Sequence, residues 1–297
     1  MEIPWPFERC IVCLKTGTLT LEHLIPEALG GDLTCRFVCN ACNSHLGHRH
    51  EGNAKRDPTV RLLVEQLGAE LPKLSLLLRE GQNYFTTGPG PRARGSMKKG
   101  SLVVHGAKLN DGSLIQHTPL AERTILKLLS QEGLSPTEIA QAVARFQAAP
   151  EDTRVSLSPT IEVVKWSISA LQPALDGPLM KALVPVKTAY EYLALHVGPS
   201  IYEESPPLQA IRHALQTGVI RIDFISVDRL HAPAAKPFHG LLFEGNRPHA
   251  QFQVRLFGKL AFRVHFHRLS VGGPRGMYTH DLANNFESVS ALPSDDA

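Results

Sequence analysis

The sequence predicts an α+β chain. A small N-terminal strand–strand–helix unit stapled by zinc precedes a larger region of helices and antiparallel strands. Three observations carry this. The cysteines include two C-x-x-C pairs, Cys10/Cys13 and Cys39/Cys42. Apolar residues recur at helical spacing in "TVRLLVEQLGAEL" and "LAERTILKLLSQ". Late in the chain they alternate with polar residues in "VIRIDFISV", "FHGLLFEG", "AQFQVRLFG" and "LAFRVHFHRL".

With 297 residues the chain is long enough for two domains, and 43% hydrophobic with 20% charged residues is an ordinary globular balance. No apolar run reaches the length of a membrane span, and "MEIPWPFERC" lacks the basic-then-apolar pattern of a signal peptide. The expectation is a cytoplasmic protein without a membrane partner. A formal charge of +3 is too small to argue for nucleic acid by itself. The basic cluster "GPRARGSMKKG" reads as a solvated loop.

In a reducing compartment, paired C-x-x-C units read as metal ligands before disulfides. Each pair turns two thiolates toward one point, and two pairs complete the tetrahedron that zinc prefers. Cys10, Cys13, Cys39 and Cys42 are therefore the expected ligands of a structural Zn²⁺. A dithiol redox site needs only one such pair. Cys35 is left over as a free thiol in or near a strand.

The segments around the thiols predict strand, loop, strand, helix. "TGTLTLEH" reads as a short strand ending at Glu22-His23, "PEALGGD" breaks it, and "LTCRFVC" is a second strand. A helix follows, with Asn40 as its N-cap. Glu22 at the end of the first strand then faces Asn43 in the first helical turn. A carboxylate and an amide oxygen are hard donors suited to Mg²⁺ or Mn²⁺. His23 points elsewhere and is free to act as a base, since histidine changes protonation near neutral pH. Taken singly, Glu22 reads as a surface carboxylate and Asn43 as a residue that favours helix starts. Their joint placement around the thiol pairs lifts them.

These residues resemble the HNH endonuclease superfamily, the ββα-metal nucleases. The likeness lies in Cys10-x-x-Cys13, Glu22-His23-x-x-Pro26, Gly30-Gly31 and Cys39-x-x-Cys42-Asn43 followed by Leu46-Gly47. It looks closest to the bacterial branch with a four-cysteine zinc. The resemblance implies that His23 activates water for in-line attack on a phosphodiester, while Glu22 and Asn43 hold one divalent cation. Family members often carry an asparagine in the second strand that braces the loop bearing the catalytic histidine. About Thr34 stands there in this chain, with a hydroxyl to offer. Gly47 stands where some members add a metal-binding histidine. His45 and Arg49 lie one turn apart within reach of phosphates, although a solvated polar face explains them more simply, and Glu51 would reach the metal through a water.

Beyond residue 60 the expected divisions are a mainly helical region over 61–150, with a Gly/Pro-rich connector through 81–119, and an α+β region over 151–297. "SPTE" at Ser135 is a capping box, opening a helix whose face is too poor in basic residues for a DNA reader. "TIEVVKWSIS" reads as a strand, "VKTAYEYLALHVG" and "PLQAIRHALQTG" as helices closed by glycine, and "SVSALPSDDA" as a frayed tail. In "LAFRVHFHRL" one face, Phe262, Val264 and Phe266, belongs to the core, and the other, Arg263, His265 and His267, faces solvent or contacts phosphates, solvent being the simpler reading.

The reading is a metal-dependent DNA endonuclease. Its residues 1–60 should hold their zinc without the remainder, which would supply recognition, oligomerisation or control. RNA as substrate and a homo-oligomer stay open, as does the role, phage defence among them. The alternative is a zinc-containing nucleic-acid-binding or regulatory protein without catalysis.

Overall fold

A computed structural model describes the chain except residues 53, 69, 80–82, 87–93, 99–100, 106, 109–113, 151–152, 167–170, 174–179, 231–233, 235, 245–248, 273–274 and 291–297. Along the sequence the first elements are β1 (Glu2–Ile3), β2 (Leu19–His23), β3 (Thr34–Cys39), α1 (Asn40–Leu46), α2 (Pro58–Leu67) and α3 (Pro72–Arg79). Then come β4 (Asn83–Thr86), β5 (Arg94–Lys98), β6 (Ser101–His105), β7 (Ala107–Lys108), β8 (Leu114–His117), α4 (Thr118–Gln131), α5 (Pro136–Ala148), β9 (Thr153–Ser156), β10 (Glu162–Trp166) and β11 (Leu171–Pro173). The last are α6 (Leu183–Val197), α7 (Pro206–Thr217), β12 (Ile225–Leu230), β13 (Phe238–Glu244), β14 (Ala250–Leu256), β15 (Leu260–Phe266), β16 (Gly276–Asp281) and β17 (Phe286–Ser290).

Two compact units result, one from Met1–Leu78 with Gly177–Ala297 and one from Arg79–Asp176. This division differs from boundaries near 60 and 150. The apolar core of the N-terminal strands is continuous with that of α6, α7 and the late strands, and turn composition does not record such long-range packing. The Gly/Pro-rich stretch expected as a connector carries β4 to β8 among its described residues. Its glycines punctuate short strands rather than replacing them.

In the first unit, β1, β3 and β2 form a small sheet, β3 in the centre. The six-stranded sheet runs β12-β15-β14-β13-β16-β17, antiparallel throughout. One row across it, Val227, Val264, Phe252 and Phe243, follows the register and lies on the core face. Phe262, Val264 and Phe266 are buried there, while Arg263, His265 and His267 are half-buried on the other face. α6 is the central rod: thirteen of its fifteen residues are buried, so it is covered on all sides rather than amphipathic. α2 starts at Asp57, whose Oδ1 accepts from the Thr59 and Val60 amides with Pro58 at the first turn. The same carboxylate accepts from the Met180 amide at 2.7 Å, tying α2 to the entry of α6.

The second unit holds two four-stranded sheets, β7-β8-β10-β9 and β11-β4-β5-β6. Ile125 and Leu129 of α4 and Ala142 and Phe146 of α5 pack with Val155 and Val163. The expected capping box opens α5: the Glu138 amide donates to Ser135 Oγ, and the Ser135 amide donates back to the Glu138 carboxylate.

Local departures have local causes. Cys39, not Asn40, is the N-cap of α1, because β3 runs directly into the helix. In "VIRIDFISV" the strand begins only at Ile225, since residues 222–224 form a turn. Ser288, Val289 and Ser290 are not frayed but pair with β16, and the rest of the tail lies outside the described residues.

Candidate active site

The first thiol pair sits on a tight turn. The Cys10 amide donates to Lys15 O, the Leu14 amide returns to Cys10 O, and Leu14 takes a left-handed φ of 62°. The Ile11 amide donates to Phe37 O and docks this turn on β3. The second pair spans the end of β3 and the first turn of α1. All four sulfurs lie within 4.8 Å of one another, with Cys13 Sγ and Cys39 Sγ 3.7 Å apart. A tetrahedral zinc with Zn–S bonds of about 2.3 Å has sulfur–sulfur edges of about 3.8 Å. Disulfide sulfurs would sit only about 2 Å apart, and all these cysteines are free. The Cys42 thiol, and then the Cys13, Cys39 and Val12 amides, hold the Cys10 thiolate down to about 4. The same sharing pushes Cys42 up. Cys35 is buried and its thiol is pushed up to about 12 by desolvation, so it is inert.

Replacing Cys39 with Ser removes one sulfur of four at the strand–helix junction. The expected result is loss of bound zinc and protease sensitivity across residues 8–52, because small zinc units draw much of their folding free energy from the metal. Metal analysis with limited proteolysis checks this, and a fully zinc-loaded, resistant variant would contradict it.

The loop between β2 and β3 explains the glycine pair. Gly30 closes the turn over Glu27–Leu29 at φ 82°, and a Cβ on Gly31 would lie 2.0 Å from Ile25 O. In register, Glu22 opposes Cys35 and His23 opposes Thr34. Alternation then sends Glu22 inward, 4% exposed, and leaves His23 half-buried.

Inside, Glu22 does not stand alone. Lys187 Nζ, fully buried on α6, lies 2.5 Å from Glu22 Oε1, 2.7 Å from Glu51 Oε1 and 3.0 Å from Glu191 Oε2. It also donates to the His23 carbonyl at 2.5 Å. Burial pushes the Glu22 and Glu191 carboxyls up against the pull of Lys187. Burial alone would lower Lys187, but its three carboxylates outweigh that and raise it well above the lysine range. The ammonium is the fixed charge of this cluster, and the Glu22 and Glu191 carboxyls hold protons more tightly than in water. Glu22 is thus no surface carboxylate.

Asn43 donates through Nδ2 to Thr20 Oγ1 at 3.1 Å and to Leu21 O at 2.9 Å, clamping α1 to β2. Thr34 spends its hydroxyl on Met1 O at 3.3 Å. Glu51 ends a widened helical turn, Gly47–Glu51, that continues α1 and carries the carboxylate to Lys187. His45 is half-buried with its ring 5.7 Å from that of the buried His50, so the helix does not present a uniformly solvated polar face. Arg49 is exposed, and its carbonyl accepts from Lys181 Nζ.

Residues 10–59 match the family model described as HNH endonuclease. Over this segment the chain is similar to HNH endonucleases. No curated protein and no solved structure matches the chain. The matched segment carries all four clustered cysteines together with Glu22, His23 and Asn43, and the match to an HNH endonuclease domain implies a nucleic-acid substrate. Among the described residues no helix is long and apolar enough to cross a membrane.

Lys187, Thr188 and Glu191 lie outside the HNH segment, and sequence reasoning missed them. A signal was available: "VPVKTAYEYLAL" is an apolar helix interrupted by Lys and Glu four residues apart, spaced to pair on one face.

Proposed function

We propose that the chain is a metal-dependent endonuclease that hydrolyses phosphodiester bonds in DNA, with His23 as general base. The observation that carries this is the split at the end of β2. Within one HNH segment His23 is only half-buried, while its neighbour Glu22 is anchored inside and the thiol cluster stands at the adjoining strand–helix junction. His23 takes the proton of the attacking water as its oxygen bonds to phosphorus. The bond to the 3′ oxygen breaks, that oxygen takes a proton from solvent water, and His23 later returns its proton to solvent, giving 5′-phosphate and 3′-hydroxyl ends.

Glu22 and Asn43 would hold one divalent cation, Mg²⁺ or Mn²⁺, which when bound polarises the phosphoryl group and stabilises the leaving oxygen. The donor set fits. Glu22 commits Oε1 to Lys187 and has Oε2 as its second donor, and Asn43 uses its nitrogen on β2, so its donor to a cation is Oδ1. One or two hard oxygens suit a small cation that keeps most of its water. The four thiolates are soft ligands and suit Zn²⁺ as a structural ion. Free, paired thiols also favour a reducing, cytoplasmic compartment.

Plasmid cleavage is expected with Mg²⁺ or Mn²⁺ and not in EDTA, with products that religate without end repair. Strong cutting in EDTA would remove the catalytic cation from the mechanism. One observation favours the second reading, a zinc-containing nucleic-acid-binding module without chemistry: the Glu22 carboxylate is already paired with an ammonium. Retained DNA binding with no cleavage in either metal would select it.

A further inference from the structure

We infer that Lys187 and Thr188 of α6 are positioning residues of the nuclease site, which hold the strand end that carries the general base. The inference rests on the nuclease reading above. The brace expected from the second strand is missing: Thr34 opposes His23, but its hydroxyl is committed to Met1 O. Two consecutive α6 side chains grip the same place from the other side. Lys187 Nζ donates to the His23 carbonyl at 2.5 Å and Thr188 Oγ1 to the Leu24 carbonyl at 2.7 Å.

Both donors and Leu24 are buried. Without competing water such bonds are stronger and more directional than at a surface. The grip is itself anchored. Glu51 and Glu191 fix the ammonium that also orients Glu22, so one cation sets both the carboxylate and the backbone of the adjacent base. Two residues further along α6, Tyr190 donates its hydroxyl to Ile11 O at 2.7 Å. One helix thus registers the thiol turn against the His23 strand end. A small displacement of a base or ligand is costly to chemistry, and this helix belongs to the part of the chain outside the HNH segment.

Thr188→Val keeps the branched shape and removes only the donor to Leu24 O, and Thr188→Ser retains the donor. Lys187→Met combined with Glu191→Leu removes the ammonium and one carboxylate together, but its remaining buried acids endanger folding, so Thr188 decides. Zinc content, melting temperature, amide exchange over residues 22–26, Mn²⁺ affinity by calorimetry, and kcat and KM on plasmid are measured for each folded variant. Thr188→Val is expected to hold zinc, exchange faster over 22–26, and lose about 10- to 100-fold in kcat or Mn²⁺ affinity, the usual cost of losing a partner that orients a ligand. KM stays within about twofold, and Thr188→Ser recovers most of the loss. A purely structural threonine would lower the melting temperature and leave kcat and Mn²⁺ affinity of the folded protein unchanged. If wild type cuts and zinc-loaded Thr188→Val cuts and binds Mn²⁺ equally well, this inference fails alone. If wild type does not cut, the nuclease reading fails and takes the inference with it.

Discussion

Replacing His23 with alanine is expected to lower DNA cleavage by at least ~10²-fold, the usual worth of a positioned general base, while leaving a folded, zinc-loaded protein. The structure separates these two outcomes. The contacts of His23 that hold the fold run through its backbone: its pairing with Thr34 and the bond from Lys187 to its carbonyl. Alanine keeps both. His23 is half-buried at the strand end and is not part of the buried core. Cleavage rate, zinc content and DNA affinity measured on one preparation decide the matter. Unfolding of His23→Ala, or cleavage within a few-fold of wild type, would remove His23 from the role of base.

A fragment of residues 1–60 is expected not to fold, and so to lose cleavage altogether. This reverses the expectation from the thiol pattern that the N-terminal unit holds its zinc unaided. Truncation removes Lys187, which pairs with Glu22 and Glu51, and with it the α6 surface that covers Glu22 in the intact chain. It also removes the donors to Ile11 O, Val12 O, Leu24 O and Leu29 O, each worth ~1 kcal/mol. Ile11, Leu24 and Phe37 are fully buried in the intact core shared with α6 and would lose part of that cover. A domain with only ~5–15 kcal/mol of net stability does not survive such losses. Circular dichroism and limited proteolysis of the zinc-supplemented fragment test this. A compact fragment that binds zinc and cuts DNA would show that the C-terminal half is dispensable to the site.

What the sequence determined by itself was whatever is written at short range. The paired thiols, the Glu22-His23 step, the glycine pair and the asparagine after Cys42 all lie within one short stretch, and local spacing assigns each to its strand, turn or helix start. The strand ending at His23, the helix after Cys39, the capping box at Ser135 and the alternation in β15 were legible for the same reason. Tertiary structure alone decided that Glu22 is buried on an ammonium, that Asn43 clamps the preceding strand, and that the C-terminal half completes the N-terminal core. The His23 and Leu24 carbonyls meet donors 164 residues away, and no local period records that distance. A lysine inside an apolar helix marks a buried partner, but only packing names it: a buried charge must be compensated, and three carboxylates from three separate segments converge to do so.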